Sequence, residues 1–424
     1  MKRYSIVGAT IEIVRSIGAV DIKAIRTSNI IFATLSQEQV NILKSKGYYV
    51  EPVVNIRAGI TPIIDIAPPA PIEAQPIYTP AQLFTSIGFE QARQLTDPPL
   101  TGSGINVAVI DSGVRADHQS ILGRVVYSKN FTTSRDGDNF NHGTGIASCI
   151  LTAAPDCNII DFKVIEDAGS GSVENLILAI DECVSMHEDG NPFAPSIINL
   201  SIGAPDDGNP NDPLKIMCRE AATYGIWIVA AAGNSGPDMG TMLIPAAERY
   251  VLAVGSCSYD PFVVSPFSSR GPTLDGIIKP DLVFFGENIV VASSVSTTAN
   301  IAKSGTSFSA PFVTGLMALY QQAVIIYAQA KYPEEIFGPM SYEDLLSMRD
   351  LIDIHLKQFC VKPSGIVGEK DVYYGEGLPY GPLFNNAFSE SEGDATTSQF
   401  DSGLITSMMT IAMMVPIFGM IGKS

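Results

Sequence analysis

From residue 81 to about 385, short unbroken apolar runs alternate with longer stretches in which apolar positions recur at helical spacing. Ile105–Ile110, Asn158–Val164, Ser196–Ser201 and Ile226–Ala231 show no polar alternation, the pattern of strands covered on both faces. Glu174–His187, Pro213–Tyr224 and Ser307–Gln329 read as helices. Continuous apolar strands separated by helices predict an α/β fold with a mostly parallel sheet between helical layers. Residues 1–58 follow another pattern. Strand-like runs at Tyr4–Val7 and Ile30–Thr34 flank a helix over Ser36–Lys46, which Ser36 and Gln39 would open as a capping box and Gly47 would stop. This predicts a small α+β domain.

Between the two patterns, residues 59–80 contain Pro62, Pro68, Pro69, Pro71, Pro76 and Pro80, a composition suited to an extended linker. The main domain is expected over 81–385, followed by an acidic linker at 386–402 and an apolar tail at 403–424. Within the tail, 404–422 carries no charge over about the length of a membrane span. Pro416 and several methionines make it an irregular one. A membrane contact through 404–422 is one expectation, and a helix docked on the domain or on a partner is the other. The N-terminus has a basic start, but its short apolar stretch is broken by Glu12 and Arg15, a poor match to a secretory signal.

Composition narrows the function classes. The 424 residues are 46% hydrophobic, enough to bury a large core, which excludes global disorder. A net charge of −18 argues against nucleic acid as a partner, because phosphate neutralisation needs excess Lys and Arg. Six scattered cysteines with no CxxC spacing suit buried free thiols and not a disulfide framework. No internal repeat is visible, so a solenoid is not expected.

Four segments carry candidate chemistry, each at an element boundary: VAVIDSGV with Asp111, NHGTGIAS with His142, IVAAAGNSG with Asn234, and SGTSFSAP with Ser307. Alone, each admits a plain structural role as a turn, a loop or a helix cap. Together they supply what acyl transfer requires. A serine hydroxyl needs a base, imidazole is suited to that near neutral pH, and a carboxylate fixes the imidazole tautomer. An amide and backbone N–H groups can stabilise an oxyanion, helped by the helix N-terminus that Ser307 opens.

With DSG at 111–113, HGT at 142–144 and GTSxSAP at 305–311, the chain resembles the subtilisin-like serine proteases (subtilases, peptidase S8), a family whose triad is a standard template. The resemblance covers about 83–385. It implies a three-layer fold and a serine endopeptidase in which Asp111 orients, His142 acts as base then acid, Ser307 attacks and Asn234 donates to the oxyanion. It also implies that Gly169, Ser170 and Gly171 form one edge of a peptide-binding groove, and Leu200, Ser201, Ile202 and Gly203 the other. Ala231, Ala232 and Gly233 would wall the primary specificity pocket. Leu243 falls where the family often has a small residue at the pocket base, which implies a shallow, apolar first subsite. Gly145 stands where many members have a second histidine, a position outside the catalytic set.

No cofactor is required by this chemistry. The short passage from Leu151 to Asp156 gives no reason to expect the calcium loop of secreted members, so structural calcium is not predicted. Residues 1–58 resemble the family's inhibitory propeptide, which makes the chain's own N-terminal domain an expected intramolecular inhibitor, alongside polypeptide substrates. Two other classes compete with this reading: a catalytically silent subtilase fold used for binding, which a missing triad member would signal, and a membrane-tethered scaffold built around the tail. An esterase is disfavoured because Ser307 lacks the G-x-S-x-G setting.

Overall fold

The buried apolar runs lie side by side in one parallel sheet. The computed structural model describes residues 1–58, 77–94, 96–97, 99–331, 358–363 and 369–383. Most of the expected proline-rich linker, the acidic linker and the apolar tail including 404–422 lie outside these residues.

The chain begins with β1 (Lys2–Val7), α1 (Ile11–Ser16), β2 (Val20–Ala24), β3 (Ile30–Leu35), α2 (Gln37–Ser45), β4 (Tyr49–Pro52) and β5 (Asn55–Ala58). Two short helices follow, α3 (Pro80–Ser86) and α4 (Phe89–Arg93). Next come β6 (Asn106–Asp111), β7 (Val125–Asn130), α5 (Gly143–Ala153), β8 (Asn158–Lys163), β9 (Ser170–Ser172) and α6 (Val173–Glu188). They lead to β10 (Ile197–Leu200), β11 (Ile202–Pro205), α7 (Pro213–Thr223), β12 (Trp227–Ala231), β13 (Leu243–Ile244), β14 (Val251–Cys257) and β15 (Leu282–Phe285). The hairpin β16 (Ile289–Ala292) and β17 (Asn300–Lys303) precedes α8 (Thr306–Lys331), and β18 (Cys360–Val361) pairs with β19 (Leu378–Pro379).

The central sheet has the order β15-β14-β12-β10-β6-β8-β7, and all its pairings are parallel. Its strands divide their side chains between two cores by simple alternation. Val107, Val109, Trp227 and Val229 pack with α5 and α8, whereas Ala108, Ile110, Ile228 and Ala230 pack with α6 and α7. This is the three-layer architecture expected from the sequence. One described helix, α8 over Thr306–Ile326, is long and apolar enough to cross a membrane, and it is mostly buried in this core.

The N-terminal elements form an antiparallel sheet of order β2-β3-β1-β4. The Ser36–Gln39 capping box opens α2 as its spacing predicts. One face of this sheet packs on its own helices through Ile6, Val14, Ile31, Leu35 and Leu43. The other turns Ile30 and Phe32 into the core shared with α6. Polar ties reinforce that docking. Arg3 grips Glu174 with two nitrogens at 2.7 and 2.6 Å, and Thr27 donates its N–H and hydroxyl to Asp181 at 3.0 and 2.6 Å. The bidentate, partly buried Arg3 pair carries more energy than the exposed Arg26–Asp189 pair. All six cysteines are unpaired, and five are buried.

Candidate active site

Strand order decides where the candidate residues meet. Chain order reverses direction across β6, with β8 on one side and β10 on the other, and crevices in open α/β sheets form at the carboxyl ends of strands around such a reversal. Asp111 is the last residue of β6, Leu200 the last of β10 and Ala231 the last of β12.

Asp111 and His142 are joined. Asp111 Oδ1 lies 2.8 Å from His142 Nδ1, and both side chains are at most 1% exposed. A proton on Nδ1 donated to the carboxylate leaves Nε2 with the lone pair, the form a base requires. Nε2 is buried without a hydrogen-bond partner among the described residues, as is Asp111 Oδ2. The imidazole packs edge-on against Phe308, the residue after Ser307, with ring centroids 5.5 Å apart.

Local sequence fixes this pair. Gly143 opens α5 where an added Cβ would lie 2.3 Å from Gly113 O and 3.2 Å from Asp111 Cβ, so only glycine lets the helix start against the Asp111 turn. Gly145 abuts Val291 and Phe308, which leaves little room for a side chain there.

Ser307 sits in the first turn of α8 and is fully buried. Its Oγ donates to the Ser201 carbonyl at 3.1 Å, so in this arrangement the hydroxyl is directed at Ser201 and not at the imidazole. Asn234 is held beside it: its Oδ1 accepts from Thr306 N and Thr306 Oγ1, both at 2.9 Å, which orients the amide.

The two segments that the resemblance makes edges of a peptide groove carry a strand between them. The order β13-β11-β5-β9 places β5 between the two segments singled out from the sequence. Asn55, Ile56 and Arg57 pair antiparallel with Ser172, Gly171 and Ser170, while Arg57 and Ala58 pair with Gly203 and Ile202. Gly169 precedes this edge in a turn, with N–H to Glu166 O at 2.9 Å. Leu200 belongs to the central sheet opposite Ala230 and is buried, and Ser201 lies between it and β11. Ala231 ends β12, Ala232 donates its N–H to Val254 O, and Gly233 donates to Thr306 Oγ1 at 3.3 Å.

Sequence reasoning missed three supporting side chains. Buried Asp138 accepts from the N–H groups of Asn141, His142 and Thr144 and from the Thr144 and Ser112 hydroxyls, at 2.6–3.3 Å. An acidic residue a few positions before a helix start was the signal, since such carboxylates serve orphan N–H groups. Lys163, only 2% exposed, donates to Ser112 O at 2.8 Å and Gly137 O at 3.2 Å, tying the Asp111 turn to the Asp138 loop. Lys303 donates to Asn141 O at 2.7 Å, and burial lowers its pKa although Asp138 and Asp111 oppose the shift. Among the described residues, no group of three or more His, Cys, Asp or Glu is arranged to hold a metal ion.

Comparison with known proteins gives the chain's family. The subtilase family signature (peptidase S8) matches residues 102–346. Serine protease AprX of Bacillus subtilis is 33% identical over 258 residues, 53% of this chain and 58% of its own length. Subtilisin-like protease SBT6.1 of Arabidopsis thaliana is 32% identical over 261 residues, 58% of this chain and 23% of its own length. An extracellular serine proteinase of a Thermus strain is 31% identical over 230 residues, 52% of each chain. The match thus spans about half or less of the length of these curated relatives. With that signature over more than half of its length, the chain belongs to the subtilase family.

Proposed function

We propose that this protein is a serine endopeptidase made as a self-inhibited precursor. One observation carries the reading: the chain's own strand β5 lies as the middle strand between β9 and β11, and Ser201, the residue before β11, accepts from the Ser307 hydroxyl. An extended peptide held by main-chain pairing on both sides is how a protease of broad sequence tolerance binds its substrate.

In this reading Ser307 Oγ leaves the Ser201 carbonyl by rotation about its Cα–Cβ bond and passes its proton to His142 Nε2 while attacking a peptide carbonyl. Asp111 holds the imidazolium that forms. Asn234, its oxygen fixed by Thr306, supports the oxyanion together with N–H groups at the start of α8. The proton then moves from His142 to the leaving amine, and water releases the acyl group by the reverse sequence. The triad chemistry draws on no cofactor. Residues 1–58 act as the inhibitor, held by the Arg3–Glu174 and Thr27–Asp181 ties while β5 fills the groove.

N-terminal sequencing of the purified chain tests this reading. The wild type should yield a new terminus shortly beyond Ala58, and Ser307→Ala should keep Met1. An intact wild type that hydrolyses no peptide would contradict it.

A further inference from the structure

The hairpin of β16 and β17 packs on α5, the helix that His142 opens, and its two ends reach the residue just before that histidine. Asn141 is gripped on three sides. Its N–H donates to Asp138 Oδ1 at 2.7 Å, its Oδ1 accepts from Ser293 Oγ at 3.0 Å and Ser294 N at 2.7 Å, and its carbonyl accepts from Lys303 Nζ at 2.7 Å. The grip holds a left-handed backbone, φ +66°, which asparagine tolerates better than most side chains do. The hairpin is anchored in turn. Fully buried His118 has Nε2 2.9 Å from Ala299 O, Arg115 donates to Ser294 O at 2.8 Å, and Ala292 N donates to Ser148 Oγ on α5 at 3.1 Å.

Lys303 brings a charge as well as a hydrogen bond. It pairs with Ile289 at the open end of the hairpin and is half-buried. Burial lowers its pKa, while Asp138 and Asp111 favour the ammonium form. Asp111 is the carboxylate bonded to His142 Nδ1, so the ammonium lies within electrostatic reach of that pair. The other charged and titratable groups around the pair come from β8, from the loop before α5 and from the segment after β6: Asp161 and Lys163, Asp138, and Arg115, Asp117 and His118. Arg115 pairs with Asp117 at 2.9 Å and Lys163 with Asp167 at 3.3 Å. Among the described residues, no carboxylate lies within ion-pair distance of Lys303, so no contact partner neutralises its field at the imidazole.

We propose that Lys303 is a positioning residue for His142: its bond to the Asn141 carbonyl fixes the backbone that carries the imidazole, and its charge opposes a proton on Nε2, keeping the histidine a free base to lower pH. This rests on the proteolytic reading above and adds a control on the base of that same site. The physical ground is plain. A like charge nearby disfavours the charged form of a titrating group, and it does so more strongly where burial keeps water from screening it. The same repulsion makes the imidazolium, once formed, readier to pass its proton to the leaving amine. The backbone grip matters because a base misplaced by a fraction of an ångström loses much of its effect.

The test uses the full chain, carried through its own processing at neutral pH and then assayed on one peptide from about pH 5 to 9. Lys303→Met keeps the aliphatic stem and loses the charge. It should move the acid limb of kcat/KM up by about half a pH unit and lower kcat about threefold to tenfold, with KM little changed. Lys303→Arg restores a cation and a donor and should return the limb to its wild-type position. Should Lys303→Met fold poorly, Lys303→Gln, which leaves a polar group on the hairpin, carries the same comparison. A purely structural lysine would lower activity at every pH and leave the limb in place, and that result overturns the proposal while leaving proteolysis intact. So does a limb that stays displaced in folded Lys303→Arg. Absence of any cleavage by wild type, with Ser307 inert to an active-site phosphonate, overturns the proteolytic reading and the role of Lys303 with it.

Discussion

Ser201 and Ser307, 106 residues apart, exchange two hydrogen bonds: Ser201 Oγ donates to the Ser307 carbonyl at 2.9 Å, and Ser307 Oγ donates to the Ser201 carbonyl at 3.1 Å. The first bond answers a local defect. Pro311 lies four residues after Ser307 in α8 and has no N–H to offer the Ser307 carbonyl, so the Ser201 hydroxyl supplies the donor. Ser201 Oγ is itself held by Asn199 Nδ2 at 3.0 Å, and Asn199 Oδ1 accepts from Thr314 at 2.8 Å, so the network runs back into α8.

Ser201→Ala should therefore lower stability by about 1–3 kcal/mol, because a buried carbonyl loses its partner. Adding Pro311→Ala restores a helical N–H and should recover part of that loss. Thermal unfolding in a Ser307→Ala background, which prevents self-digestion, measures both. Strict additivity of the two changes would contradict the explanation.

Asp138 touches no substrate in this account. It is a positioning residue whose two oxygens hold the backbone on either side of His142. Asp138→Asn replaces one acceptor oxygen with a donor facing N–H groups. A small displacement of the imidazole should then lower kcat about tenfold to a hundredfold. KM should change little, because the groove edges are untouched. A rise in KM with kcat intact would assign Asp138 to the groove and not to the histidine.

Asp161 sets a pH dependence of stability. Burial raises its pKa to about 7, aided by Asp138, while N–H donation from Val114 and the Lys163 charge oppose the shift. An unfolded aspartate releases its proton near pH 4, about the ordinary value. Between about pH 4 and 7 the folded chain thus binds more protons than the unfolded one, and stability falls as pH rises, levelling off above that window. Asp161→Asn keeps a carbonyl for Val114 and should abolish this slope, making the variant the more stable of the two above pH 7. Melting temperatures across the window decide it; parallel curves for both proteins would contradict the assignment.

Much of this was legible in the sequence because the decisive signals are local. Asp111, His142 and Ser307 each sit at a strand end or helix start, and the apolar runs at 106–111 and 227–231 admit few alternatives to buried strands. The pairing of β5 with β9 and β11 was not legible in the same way. It joins residues more than a hundred positions apart through main-chain groups, which leave no mark on side-chain pattern. Asp138 was missed because its segment, SRDGDNFNHG, reads as an ordinary polar loop, and only the fold shows one carboxylate serving several donors. The leucine at 243 was visible as a departure, but its contact with both Gly203 and Gly233 needed the fold to be seen.

The central claim is that the Asp111–His142 pair makes Ser307 a nucleophile. Labelling the processed protein with a fluorophosphonate and locating the adduct by peptide mass spectrometry addresses it directly. One adduct is expected, on Ser307, with the rate of labelling reduced about a thousandfold in His142→Ala. An unlabelled Ser307 in protein freed of residues 1–58, or equal labelling in His142→Ala, would contradict it.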